Sequence, residues 1–330
     1  MSVAAPLRRG WAAPRPGLAR WFFHNEQVVL TCALLAAIVL ANYLKNPRTL
    51  APFGIQTTVN VATPFAFAAL AQMCAVLVRG VDLSVGSQIA LVNVVAATAL
   101  QRDPSGGFVF AVLILIMATM VGLATGLVIS VTRVPDIIAT LATSAIVYGA
   151  ALVVLPSPGG AVPRTFARTF SGAAGGVPYA LILLVAALVL VWLPLRRSRL
   201  GLAMYALGSD PQSARLAGVD ERRARMTAYA FDGLFCGLAG IALSSLTASG
   251  DPNIGVPYTL NSIAAIMIGG VALAGGRGSA LGAVGAAFFL SGLISFLFFF
   301  GVDPNFQIVL QGLILIVVTG AAAVFRRVRA

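Results

Sequence analysis

The stretch RRSRLGLAMYALGSDPQSARLAGVDERRAR, residues 196–225, is the longest interruption in an otherwise apolar chain. It lies between two long apolar segments and contains seven arginines: Arg196, Arg197, Arg199, Arg215, Arg222, Arg223 and Arg225. Apolar segments of about 20 residues are long enough to cross a bilayer as helices. The stretch therefore predicts a basic loop in water between two membrane spans.

Inside this loop, residues 209–218 predict one short helix. Asp210 or Ser209 can accept a hydrogen bond from a free amide at its start, and Pro211 suits the first helical position. Gly218 can adopt the left-handed conformation that ends a helix.

A helix of two turns is marginal in water by itself, because isolated helices need roughly 12–15 residues. We therefore expect this helix to form against another surface. Its apolar residues Leu216 and Val219, both expected to be exposed, indicate another protein. A solvated basic loop is the alternative interpretation.

The composition indicates a membrane protein. Of the 330 residues, 59% are hydrophobic and 10% are charged, and the mean hydropathy is +0.95. The net charge of +12 would suggest a nucleic-acid partner in a soluble protein. Here the arginines stand at the ends of apolar runs, where they orient membrane helices. We therefore expect the lipid bilayer, and no nucleic acid, as a partner.

Several functional classes are disfavoured by missing residues. Cys32, Cys74 and Cys236 each stand alone in an apolar run, without the spacing of a disulfide, zinc or redox site. The single histidine, His24, precedes the first span, which excludes a serine–histidine protease and a multi-histidine metal site. No phosphate-binding GxxxxGK[ST] motif is present. The sequence predicts no enzyme, no metal and no bound cofactor.

Ten apolar runs predict an all-α protein with about ten membrane helices. They are residues 28–44, 59–78, 83–100, 108–131, 137–155, 178–195, 227–249, 260–274, 280–300 and 306–325. The eighth run is short and rich in glycine. We interpret residues 1–27 as a tail followed by an uncleaved first span, residues 28–325 as one membrane domain with a loop at 196–226, and residues 326–330 as a second tail.

The positive charges predict an orientation. With ten spans and both termini inside, 17 of the 22 Lys and Arg residues lie on the cytoplasmic side. Such a bias agrees with the positive-inside rule, and the inverted topology would reverse it. The longest outer loop, residues 156–177, is interpreted either as a linker or as a docking edge for a soluble partner.

Two inner hairpins contain unusual residues, at 79–87 and at 268–278. Asp82 is predicted to cap the helix after the first hairpin, with Arg79 as a nearby counter-charge. Glycine-interrupted segments are frequent in the moving parts of transporters, and a tight structural turn is the alternative. The hairpin residues of interest are Gly80, Asp82, Ser84, Gly86, Gly269, Gly270, Gly275, Gly276 and Gly278.

The polar side chains inside the spans are mostly neutral, and Asp232 is the one acid that falls clearly within a span. Neutral amides suit an uncharged, hydroxyl-rich solute because they both donate and accept hydrogen bonds. Each amide could instead join two helices. The candidates for a translocation path are Asn60, Gln72, Gln88, Asn93 and Asn261. Glycines three or four apart, as at Gly122 and Gly126, predict close helix packing.

Four motifs together resemble the permease subunits of bacterial ABC importers for ribose, xylose, galactose and autoinducer-2. They are GVDLSVGS at 80–87, IATL at 138–141, ALGSDPQSARLAGV at 206–219 and AAIMIGGVALAGGRG at 264–278. The resemblance covers residues 46–327. The chain departs from the family pattern at Ser209-Asp210, at Val271-Ala272, at Thr259 and Asn261, and at Arg79, where a small residue is usual.

The resemblance implies a permease in the bacterial inner membrane that imports a monosaccharide or a similar solute. It implies three protein partners. They are a second permease, in a homodimer or a heterodimer, an ATP-binding subunit, often with two domains fused, that holds ATP and Mg²⁺, and a periplasmic sugar-binding protein. The residues implied to couple to the ATP-binding subunit are Gly208, Ser209, Asp210, Pro211, Ala214, Arg215, Leu216 and Gly218. A secondary carrier working alone and a scaffold or receptor without transport remain the alternatives.

Overall fold

The computed structural model describes residues 26–303 apart from Arg133, together with residues 306, 309, 312, 313 and 320. Within these residues the chain is almost entirely helical. The helices are α1 (Glu26–Lys45), α2 (Pro52–Leu77), α3 (Val85–Arg102), α4 (Gly107–Thr132), α5 (Asp136–Val154), α6 (Arg164–Ser171), α7 (Tyr179–Arg197), α8 (Arg199–Ser209), α9 (Pro211–Leu216), α10 (Glu221–Thr247), α11 (Val256–Ile268) and α12 (Ala280–Phe299). The predicted all-α class is confirmed.

Six of the described helices are long and apolar enough to cross a membrane: α2, α4, α5, α7, α10 and α12. Helix α11 and the apolar part of α1, Val29–Lys45, are shorter. Helix α3 has 18 residues but does not reach the hydropathy of the six. The predicted tenth span, residues 306–325, and both predicted tails lie almost wholly outside the described residues, so the count of ten stays a prediction.

Helix α2 forms the centre of the bundle. In its most apolar 18-residue window, 89% of the residues are buried, against 33% for the span that contains α4. It packs mainly against α10, α12 and α11. The mean hydropathy of that window is 1.5 in α2 and 2.6 in the span of α4. The central helix is therefore surrounded by protein, whereas α4 presents apolar side chains outward.

Helices α4 and α10 approach closely at small residues, as the glycine spacing predicted. A Cβ added to Gly122 would overlap the carbonyl oxygen of Tyr229, and one added to Gly233 would overlap that of Ala118. Because there is no room for side chains, the two backbones come into direct contact. The packing interpretation is confirmed here.

Helix α7 contains one irregularity. Residues Ala187–Trp192 form a π-helical segment directly before Pro194. Proline has no amide hydrogen to donate to the preceding turn, and an extra residue in that turn is one way in which a helix continues past it. Helix α7 thus reaches Arg197 without a break in its length.

The predicted outer loop between α5 and α7 is folded. It contains α6 and a two-stranded antiparallel hairpin of β1 (Ala173–Ala174) and β2 (Val177–Pro178). Phe166 of α6 is buried against α3 and α4 residues. The loop is therefore an ordered cap over this end of the bundle, which disfavours the interpretation as a linker.

Candidate functional site

Three sequence motifs that are far apart in the chain meet at one end of the bundle. We call this the arginine end; it comprises residues 78–84, 198–220 and 269–279 and the first turn of α5. Gly276 N donates to Leu77 O at 3.1 Å, and the Tyr205 hydroxyl donates to Gly278 O at 3.2 Å. Thr140, of the fourth motif, donates to Val81 O at 3.1 Å. All four motifs thus lie together at this end of the bundle.

The short helix α9 has the predicted ends. The Asp210 side chain accepts a hydrogen bond from Gln212 N at 3.0 Å, and Pro211 is the first helical residue. At the other end Gly218 has a φ of +80°. Val219 N donates to Ala214 O and Gly218 N donates to Arg215 O, both at 3.0 Å. These two bonds form a Schellman motif, which satisfies carbonyls at the helix end.

The outer face of α9 is open. Leu216 is 84% exposed, as predicted, although Val219 is half-buried and that part of the prediction is wrong. Ala214 is buried. An exposed leucine at the tip of a loop, on a helix too short to be stable alone, fits a surface that another protein covers.

Asp210 is fully exposed and ionised over the physiological range. Hydrogen bonds from the Ser213 hydroxyl and the Gln212 amide hold the pKa of its carboxyl below the ordinary value, and Arg79 contributes to a smaller extent. The cap at the start of α9 is therefore a carboxylate, whose charge is favourable at a helix N-terminus.

Ion pairs join α9 to α10 and α5. Arg215 contacts Glu221 at 3.3 Å, and Arg225 contacts both Glu221 at 3.2 Å and Asp136 at 3.1 Å. The Tyr229 hydroxyl also donates to Asp136, at 3.1 Å. The side chains of Arg225 and Asp136 are only 19% and 15% exposed, so this pair is partly shielded from water.

This network could not be predicted from the local sequence. Asp136 and Arg225 are 89 residues apart, and no local pattern connects them. The sequence offered one signal for the pair. Asp136 and Arg225 lie near the starts of two spans, and the predicted topology puts both starts on the same side of the membrane.

Glycines let the three loops touch through their backbones. A Cβ added to Gly208 would overlap Leu77 O, and one added to Gly276 would overlap Ser209 N. Gly275 and Gly276 have φ values of +87° and +69°, which other residues rarely adopt. The glycine-rich hairpin therefore places its backbone directly against the end of α8, one residue before Asp210.

The hairpin at 79–87 differs from the prediction in two respects. Asp82 accepts hydrogen bonds from Ser84 N and the Ser84 hydroxyl, both at 2.6 Å, while α3 begins only at Val85. It stabilises the turn before the helix and does not cap it. Arg79 forms no ion pair with Asp82 among the described residues and instead donates to the carbonyls of Gly208 and Ser209.

Asp232 has a carboxylate neighbour. It is completely buried, and so is Asp82, which lies beside it. No described residue donates a hydrogen bond to either oxygen of Asp232. The one acid that the sequence placed clearly within a span is thus one of two adjacent buried carboxyl groups.

The predicted path amides are engaged with the protein and are spread along the bundle. The Gln72 side-chain amide donates to the backbone C=O of Asp82 and accepts from its backbone N–H. Gln88 donates to Ser84 at 2.9 Å, and Asn60 donates to Ser171 O at 2.7 Å. Asn93 binds Ser244 and the loop after α10, and Asn261 is half-buried on α11. These side chains do not form one cluster.

A groove of about 370 Å³ opens between α4, α8 and α10 near the arginine end. Its lining is mostly apolar, with Leu123, Leu200, Met226, Ala230 and Phe231 beside Arg223 and Thr227. Such a lining does not fit a hydroxyl-rich solute. Within the described part of the chain, no group of three or more His, Cys, Asp or Glu residues could hold a metal ion.

The sequence of the chain matches a known protein family. Residues 54–319 match the family described as branched-chain amino acid transport system / permease component. The galactose/methyl galactoside import permease protein of Escherichia coli is 29% identical over 307 residues, which cover 87% of this chain and 90% of that protein.

Two further relatives are similar. The galactose/methyl galactoside import permease protein of Haemophilus influenzae is 31% identical over 73% of this chain and 77% of its own length. The ribose import permease protein of Bacillus subtilis is 30% identical over 86% of this chain and 88% of its own length. No solved structure matches the chain.

Proposed function

This chain belongs to the permease family of the branched-chain amino acid transport system type, and from that premise we propose that it is the membrane permease of an ABC importer for a monosaccharide or a similar hydroxyl-rich solute. The main support for this proposal is the match to galactose and ribose import permeases, which covers almost the whole length of this chain and of each relative. The assembly of all four motifs at one end of the bundle supports the same conclusion.

The chain is a multi-pass membrane protein, and we infer that it lies in the bacterial inner membrane with ten spans and both termini in the cytoplasm. Under this topology the arginine end faces the cytoplasm, in agreement with the positive-inside rule. The ordered cap of α6, β1 and β2 then faces the periplasm.

We propose three partners for this permease. A cytoplasmic ATP-binding subunit, which holds ATP and Mg²⁺ and can carry two fused domains, contacts the arginine end. A periplasmic sugar-binding protein delivers solute to the opposite end. A second permease copy completes the path across the bilayer. The chain itself supplies no ATPase site, since it contains no phosphate-binding motif.

In this mechanism α9 is the element that docks on the ATP-binding subunit. ATP binding moves the docked helix, and the backbone contacts of Gly208 and Gly276 carry that movement to the end of α2. The Arg225–Asp136 pair carries it to α5. Because α2 is the most buried of the six long apolar helices, its displacement changes the packing of the whole bundle.

The solute assignment is supported by the neutral character of the interior. Among the buried described residues, the acidic side chains are Asp82 and Asp232, and the other polar ones are amides and hydroxyls. Neutral polar groups can donate to and accept from sugar hydroxyls without a counter-ion. Asn60, Gln72, Gln88, Asn93 and Asn261 remain candidates for such contacts once the bundle opens.

The decisive experiment is reconstitution of the permease with its ATP-binding subunit and binding protein in liposomes. We expect ATP-dependent uptake of radiolabelled galactose or ribose, and none with the permease alone. Uptake by the permease alone, driven by a gradient, would instead establish a secondary carrier. Uptake of leucine with no sugar uptake would overturn the solute class but not the importer.

Two substitutions test the docking role of α9 in the same assay. Gly218→Pro cannot adopt the observed φ of +80° and removes an amide donor, and Arg215→Glu reverses a charge on the exposed face. We expect both to abolish uptake. Arg222→Glu, which changes charge equally but lies on α10, is the control and should retain uptake. Unchanged uptake with both α9 variants would remove the docking assignment.

A further inference from the structure

Arg79 occupies a backbone position where glycine is the usual residue. It follows Val78, the C-cap residue of α2, and has a φ of +66°. Gly80 N donates to Ala75 O and Arg79 N donates to Val76 O, both at 3.0 Å. These bonds define a Schellman motif with Arg79 at its left-handed residue. A residue with a Cβ is strained in that conformation, so its retention requires a compensating interaction.

The Arg79 side chain supplies that interaction. Its Nε donates to Gly208 O and its Nη2 donates to Ser209 O, both at 2.8 Å. These carbonyls belong to the last turn of α8, which carries a partial negative charge and lacks further helical donors. The planar fork of a guanidinium can bind two neighbouring carbonyls at once, which a lysine ammonium does less well.

The bound residues stand directly before α9. Ser209 precedes Asp210, the residue that caps α9. On its other side the Arg79 side chain is packed against Gly275, where an added Cβ would come within 2.6 Å of Arg79 Cγ. Arg79 as a whole therefore joins the end of α2, the end of α8 and the glycine-rich hairpin at one point.

We propose that Arg79 is a positioning residue that couples the movement of α9 to α2, a role that deepens the proposed transport function and rests on it. The side chain fixes the last turn of α8, and hence the start of α9, relative to the central helix. Without it, α9 still forms and docks, but its displacement reaches α2 only through the backbone contacts of the glycines.

Substitution of Arg79 separates this role from folding, because glycine suits the backbone better than arginine does. In Arg79→Gly the strain is relieved and both guanidinium bonds are lost. We expect an unfolding temperature equal to or above that of the unmutated complex. We also expect an ATPase rate close to the original and an uptake per ATP hydrolysed that is lower by about fivefold or more. Arg79→Lys should restore part of that ratio.

Ala248→Gly is the matched control at the opposite end. Ala248 is the other described non-glycine residue with a positive φ, at +55°. The substitution relieves the same kind of strain without removing a side-chain hydrogen bond, so the uptake per ATP should not change. Measurements use the full complex in liposomes, with uptake and phosphate release recorded on the same sample.

Each outcome decides one claim. An uptake per ATP that is unchanged in Arg79→Gly overturns the positioning role. So does a loss of uptake that parallels a lower unfolding temperature, because Arg79 would then be only structural. Failure of the unmutated complex to show ATP-dependent uptake would instead overturn the proposed function.

Discussion

Among the described residues, both ends of the bundle have backbone contacts between loops, but ion pairs occur only at the arginine end. At the arginine end, ion pairs and long side chains connect separate loops, as in Arg225–Asp136 and Arg79–Gly208. At the opposite end, the loops pair through their backbones: Gly159 and Gly250 exchange two bonds of 2.9 and 2.8 Å, and Val162 N donates to Ala248 O. The two ends therefore differ in their charged contacts, and not in whether their loops touch through the backbone.

The largest expected effect comes from adding a side chain at the point where two loops touch at the arginine end. Gly208→Val places a side chain on the carbonyl of Leu77, so the loops must separate. We expect a loss of about 3 kcal/mol or more in the free energy of unfolding, and little folded protein in detergent chromatography. Gly149→Ala is the control, because its Cβ would meet no atom within 4 Å. A folded, monodisperse Gly208→Val protein would contradict the tight backbone contact.

The second-largest effect concerns exposed apolar residues, which we expect to bind the ATP-binding subunit at the arginine end but not at the opposite end. Leu216→Asp should leave the unfolding temperature unchanged, since the side chain is 84% exposed. It should reduce co-purification of the ATP-binding subunit at least tenfold, the size of effect expected when a central apolar contact of an interface is lost. Val177→Asp, at an exposed valine of the opposite end, should leave that association intact. Equal losses for both variants would erase the distinction.

A third prediction compares the stabilising contacts themselves. Arg225→Gln removes the pair with Asp136, and Asn93→Ala removes hydrogen bonds to Ser244, Ser249 and Asp251 at the opposite end. Each should lower the free energy of unfolding by about 2 kcal/mol. The cost of Arg225→Gln should shrink in high salt, whereas that of Asn93→Ala should not. A salt-independent cost at Arg225 would mean that the pair is too well shielded for salt to screen its charges.

The smallest effect concerns the cap of α9. The pKa of Asp210 is lowered in the folded protein, so its ionised form stabilises α9 above the ordinary pKa of an aspartate. That contribution is lost as the pH falls through the lowered pKa. Docking of the ATP-binding subunit should therefore weaken on acidification in the unmutated permease. The pH dependence should be smaller in Asp210→Asn, which keeps an acceptor without the charge. Parallel pH profiles would exclude Asp210 as the titrating group.

Local features of the site were predictable from the sequence, and contacts between distant segments were not. Asp210, Pro211 and Gly218 define α9 through signals that lie within ten residues, and the structure confirms each of them. Arg79 and Asp82 are close in sequence, yet each is satisfied elsewhere: Arg79 at the end of α8 and Asp82 in its own turn. A charge pattern gives no information on which of several nearby partners a side chain meets in the folded chain.

The fold was predictable at the level of class because hydropathy reports the environment of whole segments. Hydropathy found the helices that other helices cover, but it does not decide whether they cross the membrane. Helix α3 is predominantly buried and less apolar than the six long spans, and α11 is short. Burial inside protein removes the requirement for a long apolar run, which is why the number of spans is harder to obtain than the helical class.

The polar character of α2 has a consequence for how the protein is made. Asn60, Thr63, Pro64 and Gln72 all lie in this one helix, and in the finished bundle they are shielded by later parts of the chain. During synthesis α2 leaves the ribosome long before α10 and α12, so at that stage it would meet lipid or the insertion machinery with those groups uncovered. These polar groups are therefore covered only after helices that are translated much later have packed against α2, although α2 itself is long and apolar enough to cross a membrane.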